Sequence, residues 1–162
     1  MNRRHFIIKL AGITSATLLA PRILLSEEQR QSAFEKIIKS EAEWKRILTP
    51  AQFEILREDG TEPAYTSPLN DEKRKGTYVC AGCALPLFTS DMKYDSGTGW
   101  PSFTTTLPDA VETSLDFKLI YPRTEYHCAR CEGHQGHVFD DGPPPTGKRW
   151  CNNGLALKFI PD

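Results

Sequence analysis

Gly76-Thr77-Tyr78-Val79-Cys80-Ala81-Gly82-Cys83 is the stretch at which the chain changes character. From Gly76 onward it breaks into short runs rich in Val, Tyr, Phe, Thr and Ile, separated by Pro, Gly and Asp, and these are strand signals. The runs are Thr77–Val79, Val111–Thr113, Phe117–Tyr121, Glu125–Cys128, Gly136–Phe139, Arg149–Cys151 and Leu155–Ile160. Several strands without alternating long helices predict a mainly β (α+β) domain of antiparallel sheets, with short helices on its N-terminal side. The only internal repeat is the Cys-x-x-Cys unit itself.

Upstream of Gly76 the pattern is helical. Ser26 with Gln29, Ser40 with Glu43 and Thr49 with Gln52 each form a capping-box pattern, and Pro50 sits where a first helical residue tolerates losing its N–H. The segment after Thr49 is the clearest helix, with Phe53, Ile55 and Leu56 to pack and Gly60 placed to stop it. Glu62-Pro63 through Arg74-Lys75 is polar and proline-bearing and reads as a surface loop.

The first 25 residues differ in kind. Arg3, Arg4, Lys9 and Arg22 are their only charged side chains, and an apolar stretch runs from Leu10 to Ala20. Arg3-Arg4-His5-Phe6-Ile7-Ile8-Lys9 resembles a twin-arginine export signal, so residues 1–25 read as a targeting segment and imply a periplasmic or equivalent extracytoplasmic destination. A frayed N-terminal helix is the plainer alternative. Pro21 after Ala20 suits peptidase processing poorly, which leaves retention as a membrane anchor open. Residues 26–40 read as linker or helix and 41–162 as the working domain. A length of 162 residues, 39% hydrophobic and 25% charged, fits one such domain plus a short extension. Without the first 25 residues 16 Lys+Arg stand against 21 Asp+Glu, and a net charge of −5 argues against nucleic acid as the partner.

Cys80-Ala81-Gly82-Cys83 and Cys128-Ala129-Arg130-Cys131 are each preceded two residues earlier by a tyrosine, Tyr78 and Tyr126. A Cys-x-x-Cys turn holds two sulfurs on one side, and two such turns offer zinc four thiolates in a tetrahedron. The 44 residues between the units exceed a zinc-ribbon interval, so the β domain must bring them together. Local disulfides, buried free thiols and a thioredoxin-type redox pair are the competing readings. Iron accepts the same ligands, but zinc suits a structural role better. A twin-arginine route carries folded proteins, so metal could be loaded in a reducing cytosol before the thiols meet an oxidising compartment.

Cys151 is left over, and an odd cysteine is a candidate reactive thiol or an inert buried one. Arg149 lies two residues before it and Asn153 two after, and cationic or donating neighbours raise the nucleophilic thiolate fraction. His134 and His137 lie nearby in the chain, within Gly133-His134-Gln135-Gly136-His137-Val138-Phe139-Asp140-Asp141-Gly142. In a regular strand their spacing sends the rings to opposite faces, whereas in a turn they converge. Each is a candidate acid catalyst or a structural histidine, with Asp140 or Asp141 available to orient one. Trp100 sits in a glycine-and-proline loop, where an indole is either core or a binding element.

From about Glu41 to Phe159 the chain resembles the B-type methionine sulfoxide reductases. The resemblance is carried by Glu43-Trp44-Lys45, Leu48-Thr49-Pro50-Ala51-Gln52-Phe53, Gly60-Thr61-Glu62-Pro63, both Cys-x-x-Cys units, Asp95-Ser96-Gly97-Thr98-Gly99-Trp100-Pro101-Ser102-Phe103, the His134–Gly142 stretch and Pro145-Thr146-Gly147-Lys148-Arg149-Trp150-Cys151-Asn152-Asn153. It implies antiparallel β-sheets with a distal four-cysteine zinc site on Cys80, Cys83, Cys128 and Cys131. It makes Cys151 the nucleophile, with His134, His137 and Asn153 around the reacting sulfoxide. Trp100 then cradles the substrate methyl group, with Phe103 or Phe139 as further walls and Arg149 among the substrate-binding residues. The implied substrate is methionine-R-sulfoxide, mainly in proteins, and the implied product is methionine plus a Cys151 sulfenic acid.

The chain departs from the pattern at three positions. Thr98 stands where many members carry a resolving cysteine, so regeneration is expected from an external small thiol or thioredoxin-like dithiol. Trp150 replaces a commoner tyrosine or phenylalanine, and Gly154 a serine; both blur substrate affinity and leave the nucleophile in place.

Overall fold

The computed structural model describes residues 34–162, which all belong to one contact unit. The leader-like segment 1–25 and the Ser26–Gln29 capping pattern lie outside the described residues. Residues 34–39 are not helical, and the Ile37 N–H donates to the Arg130 carbonyl at 2.7 Å. Among the described residues no helix is long and apolar enough to cross a membrane.

The two remaining capping boxes are formed. Ser40 caps helix α1 (Glu41–Ile47) and Thr49 caps α2 (Pro50–Glu58), each through reciprocal bonds with the residue three positions on. Asp59 rather than Gly60 takes the left-handed conformation that ends α2, with φ of 51°. Aspartate tolerates that region, and the Gly60 N–H then bonds back to the Glu54 carbonyl at 3.0 Å. The α2 face carrying Phe53, Ile55 and Leu56 is buried, as its spacing predicts.

Nine strands follow among the described residues: β1 (Gly76–Cys80), β2 (Pro86–Thr89), β3 (Lys93–Tyr94), β4 (Ser102–Phe103), β5 (Val111–Asp116), β6 (Arg123–Cys128), β7 (His134–Phe139), β8 (Arg149–Asn152) and β9 (Leu157–Pro161). They form two antiparallel sheets, ordered β2-β1-β9 and β3-β4-β8-β7-β6-β5. This is the mainly β architecture with N-terminal helices that the strand signals predict. Aromatic rings join the sheets: Phe88 stacks on Phe103 at 4.0 Å, and Tyr78 meets Phe103 edge-on at 5.0 Å. Tyr78 and Tyr126, the tyrosines ahead of the cysteine pairs, are fully buried in this layer.

Two expectations are corrected, and three strands are added. Phe117–Tyr121 is not a strand but the connection between β5 and β6, because the Asp116 carboxylate captures the Lys118 N–H at 2.8 Å and closes a turn. Its apolar side chains face outward, with Ile120 93% exposed. Strands β2, β3 and β4 escape the sequence pattern, since two are only two residues long and the third begins on Pro86, at a sheet edge. The 62–75 segment is not wholly a surface loop: Glu62 and Ser67 are buried.

Candidate active site and metal centre

The two Cys-x-x-Cys turns are built alike. In the first, the Cys80 N–H donates to the Leu85 carbonyl, the Ala84 N–H to Cys80, and Ala84 is left-handed at φ 60°. In the second, Cys128 donates to Gly133, Glu132 to Cys128, and Glu132 is left-handed at φ 59°. Both turns sit at the ends of strands, β1 and β6, and so point their sulfurs at one spot. The Cys80 and Cys131 sulfurs are 3.6 Å apart, those of Cys83 and Cys128 3.5 Å, and all four lie within 4.8 Å of one another. A tetrahedron of thiolates around zinc has sulfurs about 3.8 Å apart, so the set fits a four-coordinate metal ion. None of the five cysteines is in a disulfide. Contacts with Cys128 and its neighbours pull the Cys83 thiol down and push Cys80 up, and a divalent cation at the centre lets all four ionise. This centre lies at the Cys128 end of β6, about 17 Å from the Arg123 end by strand rise.

At the Arg123 end is a cavity of ≈ 110 Å³, lined among others by Thr61, Trp100, Arg123, His137, Phe139 and Cys151. That volume takes one unbranched side chain rather than a whole large ligand. Cys151 occupies the middle of the larger sheet, with Ser102 of β4 opposite on one side and His137 of β7 on the other. The close approach of β7 to β8 requires Gly136, since a Cβ there would lie 1.9 Å from the Cys151 carbonyl oxygen. Cys151 is half-buried, and burial raises its thiol; the Arg149 charge and hydrogen bonds from Thr98 and Arg149 work against that rise. Arg149 is itself fixed between the Asp141 carboxylate, bonded through two nitrogens at 2.8 Å each, and the Phe139 ring, 4.3 Å away.

The two histidines converge although they lie in a strand. Tyr126 pairs with Gly136 but His127 with His134, so Gln135 is an extra, bulged residue on β7. The bulge resets the alternation and puts His134 and His137 on one face, with ring centroids 5.5 Å apart. His137 lines the cavity and donates through Nε2 to Asp116 at 2.8 Å. Burial lowers its pKa, and the Asp116 bond opposes that. His134 is fully buried beside it, donating through Nδ1 to Glu125 at 2.7 Å, and its Nε2 finds no partner among the described residues.

Neither Asp140 nor Asp141 orients a histidine, contrary to expectation. β7 ends at Phe139, and the two aspartates turn away to Lys148 and Arg149. Asp116 and Glu125 hold the histidines instead. Asp116 also accepts from Arg123 at 2.6 Å, and the Lys118 N–H, burial-opposed, leads the contacts that hold its carboxyl well below the ordinary value. Phe103 is not a cavity wall; it belongs to the aromatic layer between the sheets.

Glu62 links the remaining parts. Its carbonyl accepts from Trp100 Nε1 at 3.0 Å, and its N–H donates to Asn153 Oδ1 at 3.1 Å. Its carboxylate accepts the N–H groups of Gly154 and Leu155, and burial raises its pKa. Asn153, on the cavity wall, donates onward from Nδ2 to the Gln135 carbonyl at 3.1 Å. One buried acid therefore connects the tryptophan loop, the turn after β8 and the bulge of β7. Its only trace in the sequence is Gly60-Thr61-Glu62-Pro63, and nothing local marks Asp116 or Glu125.

Fold and site together define a thiol-centred cavity on a metal-binding, two-sheet β scaffold. Comparison with known proteins narrows this. Residues 48–161 match the SelR domain family. Proteins named peptide methionine sulfoxide reductase MsrB are similar along most of the chain: that of Bradyrhizobium diazoefficiens is 47% identical over 138 residues, 85% of this chain and 99% of the relative. That of Agrobacterium fabrum is 52% identical over 127 residues, covering 78% and 94%. The Methanosarcina barkeri protein is 48% identical over 128 residues, covering 78% and 90%. The chain belongs to the SelR family, that of the MsrB-type methionine sulfoxide reductases.

Proposed function

We propose that the protein reduces methionine-R-sulfoxide, chiefly as a residue of oxidised proteins, using Cys151 as nucleophile. The observation that carries this reading is the half-buried Cys151 on the wall of a side-chain-sized cavity, in direct register with His137. The sulfoxide side chain enters the cavity with its methyl group against Trp100 and Phe139. Its oxygen turns toward His137, and this division into apolar and polar sides selects the R epimer.

A sulfoxide sulfur is electrophilic, but its oxygen leaves only when protonated. The Cys151 thiolate attacks the sulfur, and the His137 imidazolium, held by Asp116, supplies the proton. Thiol and sulfoxide become sulfenic acid and thioether: oxygen passes to Cys151, which is oxidised, and methionine leaves reduced by two electrons. An external thiol then attacks the sulfenic sulfur, water departs, and a second thiol resolves the mixed disulfide. A small thiol or a thioredoxin-like dithiol fills this role, because the other four cysteines are grouped for metal. Arg149 favours the thiolate, Asn153 keeps the wall beside it in register, and His134 backs His137.

The four-cysteine centre takes one structural zinc per chain, held by Cys80, Cys83, Cys128 and Cys131, and zinc there supplies rigidity rather than chemistry. Residues 1–25 direct the chain through a twin-arginine route to the periplasm or an equivalent compartment, with membrane attachment if the leader is kept. The test of activity is turnover of resolved R and S sulfoxides with dithiothreitol. Methionine is expected from the R form alone, and equal reduction of both would overturn the assigned selectivity.

A further inference from the structure

The Leu115–Tyr121 segment, which is the end of β5 and the turn toward β6, carries the densest group of exposed apolar side chains on the described surface. Leu115 is 65% exposed, Phe117 71%, Leu119 59%, Ile120 93% and Tyr121 80%. Soluble proteins seldom leave so many large apolar groups together in water unless something covers them. The hairpin's two cations do not dilute the patch. The Lys118 ammonium reaches back to Asp59 at 2.9 Å, and the Arg123 guanidinium to Asp116 at 2.6 Å. Both cations are thus paired with carboxylates, and the apolar side chains around them are exposed.

The patch adjoins the cavity along the chain at both of its ends. Arg123 lines the cavity, and Tyr121 is two residues away, so their Cα atoms are within about 7 Å. At the other end of the turn Phe117 directly follows Asp116, which holds the cavity residue His137. A cavity of ≈ 110 Å³ takes in one side chain and leaves the rest of a polypeptide outside, across its mouth. The residues flanking a bound methionine sulfoxide then lie beside this turn. Oxidising a methionine turns an apolar side chain polar and disrupts the core it came from, so the exposed segment has apolar neighbours.

We infer that the Leu115–Tyr121 turn is a docking surface for the apolar residues flanking methionine sulfoxide in an unfolded polypeptide. The inference rests on the reductase reading above and adds the class of protein substrate. Two peptides carrying a central methionine-R-sulfoxide, one flanked by leucine and valine and the other by serine and glycine, test it against N-acetyl-methionine-R-sulfoxide, all with dithiothreitol. Wild type is expected to favour the apolar peptide about tenfold in kcat/KM. The triple variant Phe117→Ser, Ile120→Ser, Tyr121→Ser is expected to lose that preference through a higher KM, with turnover of the small sulfoxide unchanged. A preference that survives in the variant overturns the inference. So does a defect that appears only when a protein dithiol replaces dithiothreitol, since the turn would then receive the reductant. Wild type that reduces the small sulfoxide with no flank preference overturns this inference alone, whereas wild type inert on every sulfoxide overturns the reductase reading as well.

Discussion

His137 and Cys151 face each other as a registered pair on β7 and β8, and the bulge at Gln135 brings His134 onto the same face as His137. One extra residue thus converts a spacing that should separate two imidazoles into one that sets them edge to face behind a thiol, at an interplanar angle of 65°. Each imidazole has its own carboxylate, Asp116 or Glu125.

Asp116→Asn is expected to lower kcat/KM by about ten- to a hundredfold, less than the roughly hundred- to ten-thousandfold that a general acid contributes, because His137 itself remains. It removes the negative charge that supports the protonated form of His137 and turns one of the two carboxylate oxygens into an amide donor. The carboxyl is held below its ordinary value of 3.8, so its stabilising contribution is present above that pH and lost as pH falls through the depressed folded value. Acid unfolding of wild type and variant, followed by circular dichroism, should converge at the lowest pH.

The pH profile of kcat/KM should have a broad plateau. His137 titrates below the ordinary 6.5 and Cys151 above 9.0, because burial disfavours the charged form of each. With a proton donor of lower pKa than its nucleophile, the product of thiolate and imidazolium fractions is flat between the two values and falls outside them. Arg149→Met is expected to raise the alkaline limb and lower the plateau, since it removes the cation beside the sulfur.

Much of this architecture is legible in residues that act locally. Capping boxes at Ser40 and Thr49 start helices because their partners lie three positions away, and each Cys-x-x-Cys turn closes on itself. What escapes the sequence is set across strands. Asp116 reaches a histidine 21 positions away, and Glu62 holds Gly154 92 positions away. Phe117–Tyr121 has a strand's composition, yet the Asp116 side chain ends the strand there. The convergence of His134 and His137 depends on a bulge that is visible only once β6 and β7 are paired.

The Thr98 hydroxyl, bonded to Ser96 at 2.8 Å, is near enough to the Cys151 sulfur to help hold its thiol down. Thr98→Cys is therefore expected to form a disulfide with Cys151 after turnover without reductant, seen by peptide mapping in the mass spectrometer. If the bond is absent while turnover persists, the loop carrying residue 98 lies farther from the nucleophile in solution.

Cys128→Ser breaks the metal centre without touching the cavity. Zinc content is expected to fall from one per chain to near zero, with Tm lower by roughly 10 °C or more, as befits loss of a metal that contributes to folding. Unchanged stability with no bound metal would contradict the structural role of zinc.

The most direct measurement is a single turnover without reductant, with methionine quantified and thiols titrated in denaturant. One methionine per chain and a fall from five titratable cysteines to four are expected, with the loss mapped to Cys151 and no product from Cys151→Ser. Full product from Cys151→Ser, or a loss of two thiols from the metal group with Cys151 intact, would contradict the account.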